Sequence, residues 1–350
     1  MTEATSPPPA SRRRPGRAER AARPAPSTAR YRHLQHRFPP SPVISEDELE
    51  AIHQTSLQIL EEMGMDFMHE GAREILRQAG AEVRAGSERV RIPRELVLQA
   101  IQTCPSEFTL HARNPERNIA IGGRNVAFAQ VASPPNCSDM QGGRRAGNQA
   151  DFRNMVRLAQ RYDIVHCTGG YPVEPVDLHS SVRHLDCLSD IAKLTDKAFH
   201  AYSLGQARNL DGLEIARIAR GISAEQMERE PSLFTIINSS SPLRLDTPML
   251  QGIIEMSSRN QIVMLTPFTL AGAMAPVTIA GALAQQNAEA LAGIAFTQLV
   301  RPGAPVVYGG FTSNVDMKTG APAFGTPEYM KAVLAGGQLC RKYGIPYRTS

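Results

Sequence analysis

Short β-rich runs alternate with helical stretches along most of this sequence, and the alternation is its strongest constraint on the fold. Strands that alternate with helices form a parallel sheet. From the second run onward, the starts fall 28 to 44 residues apart, about one βα unit each. Seven such units predict an α/β fold, namely a TIM (β/α)8 barrel that lacks its eighth strand. The runs are VAFAQVA (126–132), IVHCTGG (164–170), AFHAYS (198–203), FTIINSSS (234–241), IVMLTP (262–267), VVYGGFT (306–312) and IPYRTS (345–350).

A small helical extension precedes the strands. Ser45 is a candidate N-cap for a helix that Gly64 ends, and two further helices, over 70–79 and 93–103, flank a short strand at Val90–Ile92. We therefore divide the chain into a tail (1–44), an N-terminal helical region packing on the barrel (45–125) and an incomplete barrel (126–350). The helices predicted between the strands are Asp151–Tyr162, His179–Leu194, Asp211–Arg220, Thr247–Arg259, Pro276–Val300 and Pro327–Tyr343.

The tail holds nearly all of the positive charge. Its first forty residues contain nine arginines against Glu3 and Glu19, a net charge of +7, so the other residues carry a net −3. A segment this rich in Pro, Arg, Ser and Ala cannot bury a core, and we expect it to be disordered. A nucleic-acid arm, an organelle transit peptide and an over-extended start site remain open for it. The body of the chain gives no reason to expect nucleic acid.

Cysteine usage and hydropathy indicate a cytoplasmic protein. The five cysteines are widely spaced and form no CxxC pair, which argues against a disulfide framework or a zinc site. No charged residue occurs from Asn260 to Ala288, as in a membrane span, but Pro267, Gly272 and Pro276 interrupt the run. A buried strand, a turn and a buried helix explain it better.

In a TIM barrel the active site lies at the carboxyl ends of the strands. The residues predicted there are polar and almost uncharged: no lysine for a Schiff base, no carboxylate pair for glycoside hydrolysis and no cluster with metal-ligand spacing. Such a mouth suits chemistry whose reactive group comes from elsewhere. These residues are Gln130, Ser133, His166, Thr168, Tyr202, Ser203, Asn238, Ser239, Ser240, Thr266, Tyr308, Thr312 and Thr349.

Each of these residues also has a purely structural interpretation. His166 could be a satisfied core histidine within an apolar strand. Asn238 and the serines after it could cap the turn before Pro242. Tyr308 and Phe311 could be packing residues instead of ligand contacts. No single residue decides between the two interpretations.

Three stretches of the sequence are similar to the trimethylamine methyltransferase family. The most specific runs from Gln286 to Pro346 and includes LVRPGAPVVYGGFTSNVDMKTGAPAFGTPEYMKAVLAGGQLCRKYGIP. SSPLRLDTPM (240–249) resembles the segment after that family's fourth strand, and ELEAIHQTSLQILEEMGM with VRIPRELVLQAIQTCPSEFTLHARNP resembles its N-terminal region. The resemblance runs from about residue 44 to the end.

The resemblance implies a TIM-barrel enzyme that moves a methyl group from a quaternary amine, such as glycine betaine, or from a methylamine to Co(I) of a separate corrinoid protein. Aromatic faces and neutral oxygens would bind such a substrate. By strand position the aromatic candidates are Tyr202, Phe268, Tyr308 and Phe311, and the candidates for the rest of the substrate are Gln130, His166, Asn238 and Ser240. No catalytic residue and no metal ligand can be assigned by motif, and a homo-oligomer remains open.

Two further expectations concern the corrinoid and the family's pyrrolysine. Corrinoid-carrying domains show Asp-x-His-x-x-Gly; Asp177 and His179 match, but Val182 replaces the glycine, so we expect a partner protein to supply the corrinoid. Trimethylamine-specific members carry pyrrolysine at a position that falls just beyond Ser350. We expect a C-terminally truncated, pyrrolysine-free member that acts on quaternary amines. The alternative is a degenerate barrel that binds such amines or a corrinoid protein without catalysis.

Overall fold

The computed structural model describes residues 33–350, and its centre is a seven-stranded parallel sheet. The order of the strands across the sheet is their order in the chain, so each connection is a crossover. In the part of the chain that is described, the first and last strands are not paired with each other, and the sheet is an open arc. The strands are β1 (Ala129–Gln130), β2 (Cys167–Thr168), β3 (Ala198–His200), β4 (Leu233–Ile237), β5 (Ile262–Leu265), β6 (Val306–Gly309) and β7 (Tyr347–Arg348).

Ten α-helices lie in the described residues, and every helix predicted from the sequence is among them. The predicted helix from His179 begins later, because residues 179–182 form turns in which His179 Nδ1 pairs with Ser181 Oγ at 2.7 Å. Ala224–Arg229, capped by Ser223, was not predicted. The helices are α1 (Glu46–Gln58), α2 (Glu70–Gln78), α3 (Arg94–Gln102), α4 (Gln149–Arg161), α5 (Arg183–Leu194), α6 (Gln206–Arg220), α7 (Ala224–Arg229), α8 (Thr247–Ser258), α9 (Ile279–Val300) and α10 (Pro327–Tyr343).

The two faces of the sheet pack against different elements. Alternate residues of a strand point to opposite faces. Leu233, Val263 and Val306 join the core formed with the helices, and we call their side the helix face. Phe234 and Met264 instead pack with residues of the antiparallel pair Glu107–Leu110 and Ile119–Gly122, and we call that side the hairpin face.

The hairpin lies at the amino ends of the strands. The amide of His111 donates to the carbonyl of Pro231, just before β4, at 2.8 Å, and the amide of Asn114 donates to the carbonyl of Asp196, just before β3, at 3.1 Å. The hairpin therefore covers the amino end of the hairpin face. The carboxyl end is left for the loops that follow the strands.

The region 45–125 is a mixed α/β unit, not the purely helical one expected. Its helices α1 and α3 pack on α9. Met65–Phe67 pairs with Arg89–Arg91 and, in parallel, with Arg244–Leu245 from the loop after β4. This fourth-strand loop completes a small sheet that local sequence cannot indicate, because its partner lies far along the chain.

Residues 33–44 correct the predicted tail boundary. Leu34–Gln35 pairs with Asn125–Val126, and the Gln338 side chain accepts the amides of Val43 and Ile44 at 2.7 and 3.2 Å. These contacts make the segment part of the fold. The remainder of the predicted disordered tail, residues 1–32, lies outside the described residues.

The uncharged run from Asn260 to Ala288 forms β5, a loop and the first half of α9, as the sequence analysis expected. The run of α9 from Ala282 to Gln298 is buried throughout, so the apolar stretch belongs to the protein core. Within residues 33–350, no helix has the length and apolar character required to cross a membrane.

Replacing Ser45 with alanine should lower the free energy of unfolding by about 1 kcal/mol. Ser45 accepts the amide of Glu48, and the Glu48 carboxylate accepts the Ser45 amide at 2.8 Å, a reciprocal capping box. Urea unfolding measures the change. Ser45→Asp keeps an acceptor at the N-cap and should stay within a few tenths of a kcal/mol of the native chain. Equal unfolding midpoints for the alanine variant and the native chain would contradict this role.

Candidate functional site

The carboxyl ends of β4 to β7 carry the side chains that meet the chemical requirements best. In parallel barrels, the loops at this end of the strands build the active site. Asn238 follows β4, Thr266 and Phe268 follow β5, Phe311 follows β6, and Arg348 ends β7. We call these strand ends and the loops that follow them the rim.

Four aromatic rings form a continuous series along the rim, which we call the aromatic row. Phe268 and Phe311 have ring centroids 5.2 Å apart, Phe311 and Phe324 are 5.1 Å apart, and Phe324 and Tyr329 are 5.6 Å apart. Phe324 is 51% exposed, so part of the row faces solvent. The structure thus brings two predicted residues, Phe268 and Phe311, together and adds two that the sequence analysis missed.

The start of α10 explains how Phe324 and Tyr329 reach the row. Thr326 caps α10 by accepting the amide of Tyr329, and its hydroxyl also donates to Asn314 at 2.8 Å in the loop after β6. The Tyr329 hydroxyl bonds to the Ser350 carbonyl at 2.8 Å, after β7. The Thr-Pro cap of α10 was the available signal, since it places the helix start beside the sixth strand end.

Asn238 and Ser240 lie exposed on the rim after β4. The Asn238 amide donates to the carbonyl of Thr266 at 2.9 Å, which joins the ends of β4 and β5. The Ser240 amide donates to the carbonyl of Arg244 at 2.8 Å within its own loop. Both side chains remain accessible to a ligand, in keeping with their predicted place.

A buried acid, Glu289 of α9, holds this loop, and it corrects the expectation of an almost uncharged site. Its carboxylate accepts the hydroxyls of Ser239 and Ser241, the latter at 2.6 Å. It also accepts the Leu243 amide and the Gln285 side chain, each at 2.9 Å. Four donors satisfy the carboxylate, so it shapes the fourth-strand loop and is not free to act as a base.

Tyr202 belongs to a second cluster, at the ends of β1 to β3. Its ring lies 4.8 Å from that of Tyr171 and 4.5 Å from that of His200, and its hydroxyl accepts the Tyr171 amide at 3.1 Å and contacts Ser133. An adjoining cavity of about 320 Å³ is lined also by Arg183. Tyr202 is therefore at the predicted end of its strand but in a cluster separate from the aromatic row.

Three predicted residues lie away from the rim loops. Gln130 is on the helix side, where its amide donates to the Met155 carbonyl of α4 at 3.1 Å. His166 precedes β2, so it is at the amino end, where its Nδ1 accepts the Phe128 amide at 3.0 Å. Tyr308 is fully buried on the helix face, bonded to Gln286 and Asn287 of α9 at 3.3 and 3.2 Å. Strand alternation and a shorter β2 than expected account for these corrections.

Arg348, which the sequence analysis did not single out, brings a positive charge to the rim. Tyr347 beside it points to the helix face, where its hydroxyl donates to the Val333 carbonyl of α10 at 2.9 Å. Arg348 consequently points to the hairpin face and is partly buried there. Burial is the main cause that lowers the pKa of Arg348, although a guanidinium stays charged in proteins.

Metal and corrinoid ligands were also considered. Residues 33–350 contain no group of three or more His, Cys, Asp and Glu side chains arranged to hold a metal ion. Asp177 accepts the amide of Gln149 at the start of α4 at 2.9 Å, whereas His179 pairs with Ser181. The two side chains of the partial corrinoid motif thus have separate partners.

The protein is similar to known methyltransferases along most of its length. It is 38% identical to a glycine betaine methyltransferase of Desulfitobacterium hafniense (strain Y51), covering 88% of this chain and 64% of that protein. It is 28% identical to a proline betaine:corrinoid methyltransferase of Eubacterium limosum, covering 87% of this chain and 64% of the relative. The chain therefore spans less than two thirds of the length of these relatives.

A solved structure and a family model complete the comparison. The monomethylamine methyltransferase of Methanosarcina barkeri aligns with a TM-score of 0.58 at 11% identity, over 88% of this chain and 62% of that one, which shows a shared fold. The family model described as trimethylamine methyltransferase (MTTB) matches residues 10–350. On that match, the chain belongs to the trimethylamine methyltransferase family.

Proposed function

We propose that this protein takes a methyl group from a quaternary amine, such as glycine betaine, or from a methylamine and passes it to Co(I) of a separate corrinoid protein in the cytoplasm. The observation that carries the proposal is the aromatic row at the carboxyl ends of the strands, in a member of this family. Relatives named for glycine betaine and proline betaine favour quaternary amines over trimethylamine.

The chemistry asks little of the chain beyond binding and orientation. Faces of Phe and Tyr rings attract a tetraalkylammonium, and each contact contributes roughly 0.5–2 kcal/mol. The corrinoid of the partner supplies the nucleophile. The carbon–nitrogen bond breaks with its electron pair left on nitrogen, so the quaternary ammonium departs as a neutral tertiary amine and needs no general acid. Phe268, Phe311 and Phe324 hold the cation, and Asn238 and Ser240 offer hydrogen bonds to the rest of the substrate.

We further propose that the seven strands are part of an eight-stranded barrel, spanning 126–350 in this chain, on which region 45–125 packs. In the described sheet, the outer edges of β1 and β7 carry no strand, and parallel edges of this kind are normally covered. An eighth strand between them would close the barrel around the hairpin face. Hydrogen exchange provides a test, because amides on the edges of β1 and β7 should exchange faster than those of the central strand β4.

A methyl-transfer assay tests the proposed activity. The protein is incubated with glycine betaine, choline or trimethylamine and chemically reduced cobalamin, and the demethylated amine is followed by NMR. We expect dimethylglycine from glycine betaine only when the protein is present. Binding without demethylation for any amine would favour the alternative, a barrel that binds quaternary amines without catalysis. Neither binding nor demethylation would overturn both.

Replacing Phe311 with leucine should weaken binding of glycine betaine roughly two- to thirtyfold. Leucine retains apolar bulk but removes the ring face that attracts the ammonium. Isothermal titration calorimetry measures the change. Phe128→Leu is the matched control, because Phe128 is as exposed as Phe324 but precedes β1 at the opposite end of the sheet. Equal weakening by both substitutions would contradict a binding role for the aromatic row.

A further inference from the structure

The position of Arg348 follows from the register of the last two strands. Tyr347 lies opposite Tyr308 and Arg348 opposite Gly309. Both tyrosines pack on the helix face, so Arg348 points to the hairpin face, at the carboxyl end of the strands. Met264 and Val307 lie deeper on the same face and are apolar. Arg348 is thus a cation at the open end of an apolar interior.

The guanidinium of Arg348 makes no ion pair with any Asp or Glu in the described part of the chain. A partly buried charge is costly unless something pairs with it. Arg220, by contrast, is largely buried and is paired with Glu230. An unpaired, accessible guanidinium is suited to an anion brought by a ligand, above all a carboxylate, which it binds through two parallel hydrogen bonds.

His200, on the hairpin face of β3, adds an independent sign of the same preference. Its Nε2 accepts the amide of Ile236 at 3.2 Å, so Nδ1 carries the hydrogen, and that buried atom has no partner among the described residues. Burial, with the Arg348 charge as the second cause, lowers the pKa of His200 to about 3. Arg348 and His200 are both donors, and this part of the interior has no acceptor of its own for either.

The aromatic row lies close to Arg348. Tyr329, its last ring, is bonded through its hydroxyl to Ser350, two residues beyond Arg348 on the same strand end. Phe311 follows β6, the strand that pairs with β7. A site for a cation and a site for an anion therefore lie side by side at the ends of adjacent strands.

We propose that Arg348 is the specificity-determining residue of this site and binds the carboxylate of a zwitterionic quaternary amine while the aromatic row holds its ammonium. The assignment rests on the proposed function and adds to it which part of the substrate is recognised by charge. A substrate whose carboxylate is one or two carbons from the nitrogen fits two subsites on neighbouring strands. Cations without a carboxylate, such as choline, would meet the repulsion of Arg348 without the compensating pair.

Calorimetry with two ligands tests the assignment. Glycine betaine and choline are titrated into the native protein, Arg348→Met, Arg348→Lys and the control Arg341→Met, which removes an exposed arginine of α10 that has no ion pair in the described residues. We expect Arg348→Met to weaken glycine betaine binding roughly ten- to a hundredfold and to leave choline unchanged or bound slightly better. Arg348→Lys keeps the charge but loses the two-pronged geometry, so its loss should be intermediate.

The outcomes separate this assignment from the proposed function. If the native protein binds neither ligand, the proposed function fails. If it binds both and Arg348→Met weakens them equally, or weakens neither, the assignment to Arg348 is overturned while amine binding stands. Thermal unfolding of each variant accompanies the titrations; should Arg348→Met fail to fold, the selective loss of glycine betaine binding in Arg348→Lys decides the question.

Discussion

Replacing Glu289 with alanine should lower the free energy of unfolding by about 3 to 5 kcal/mol, a large fraction of the stability of an ordinary domain. Glu289 is 1% exposed, and its carboxylate accepts four hydrogen bonds from three segments of chain. The alanine variant leaves the Leu243 amide and the two serine hydroxyls without an acceptor. A buried donor left unpaired costs about 1–3 kcal/mol.

Urea unfolding of Glu289→Ala and two comparison variants measures this effect. Glu289→Gln keeps the size but turns an NH2 group toward some of the donors, so about half of the loss is expected. Glu50→Ala removes a surface carboxylate that pairs with Lys342 and should cost at most about 1 kcal/mol. A loss for Glu289→Ala as small as that for Glu50→Ala would show that the fourth-strand loop does not depend on the carboxylate.

Acid should destabilise the protein through His200. The pKa of His200 is lowered to about 3 in the folded chain, against 6.5 for the ordinary side chain. Between these values the unfolded chain takes up a proton that the folded chain does not, so the free energy of unfolding falls as the pH falls. The slope is about 1.4 kcal/mol per pH unit, or roughly 3 kcal/mol between pH 6.5 and 4.5.

His200→Gln isolates this contribution from the carboxylates that also titrate in acid. The glutamine keeps an acceptor for the Ile236 amide and cannot gain a proton. We expect the stability difference between the native chain and the variant to shift by about 1.4 kcal/mol per pH unit below pH 6.5 and to be constant above it. A difference that is independent of pH from 7 to 4.5 would mean that His200 is protonated in the folded chain.

Much of the fold could be predicted because the relevant signals are local. The alternation of β-rich runs with helices, the Ser45 cap and the buried apolar run before Glu289 all appear in the structure where the sequence placed them. The strands β1, β2 and β7 are shorter than their runs, since pairing with a neighbour decides where a strand ends. The hairpin at 107–122 alternates apolar and polar residues, a signal that was present and not used.

The candidate site was predictable only in part. Phe268 and Phe311 were found because they directly follow strands, and parallel strands all end at one edge. Tyr308 was misplaced because alternation within β6 turns it to the helix face, and His166 because β2 begins after it. Glu289 and Arg348 were missed because their roles depend on partners, or on a lack of partners, far away in the chain.

The sequence by itself determined the α/β class, the number and order of the parallel strands, the Ser45 cap and the family, because periodicity, capping and motif similarity are carried by neighbouring residues. Only the tertiary structure decided which face each strand residue takes, that Phe324 and Tyr329 complete the aromatic row, that Glu289 satisfies the fourth-strand loop and that Arg348 has no ion-pair partner in the described chain. These properties depend on burial and on contacts between distant segments, and both arise only when the sheet, the helices and the hairpin pack together.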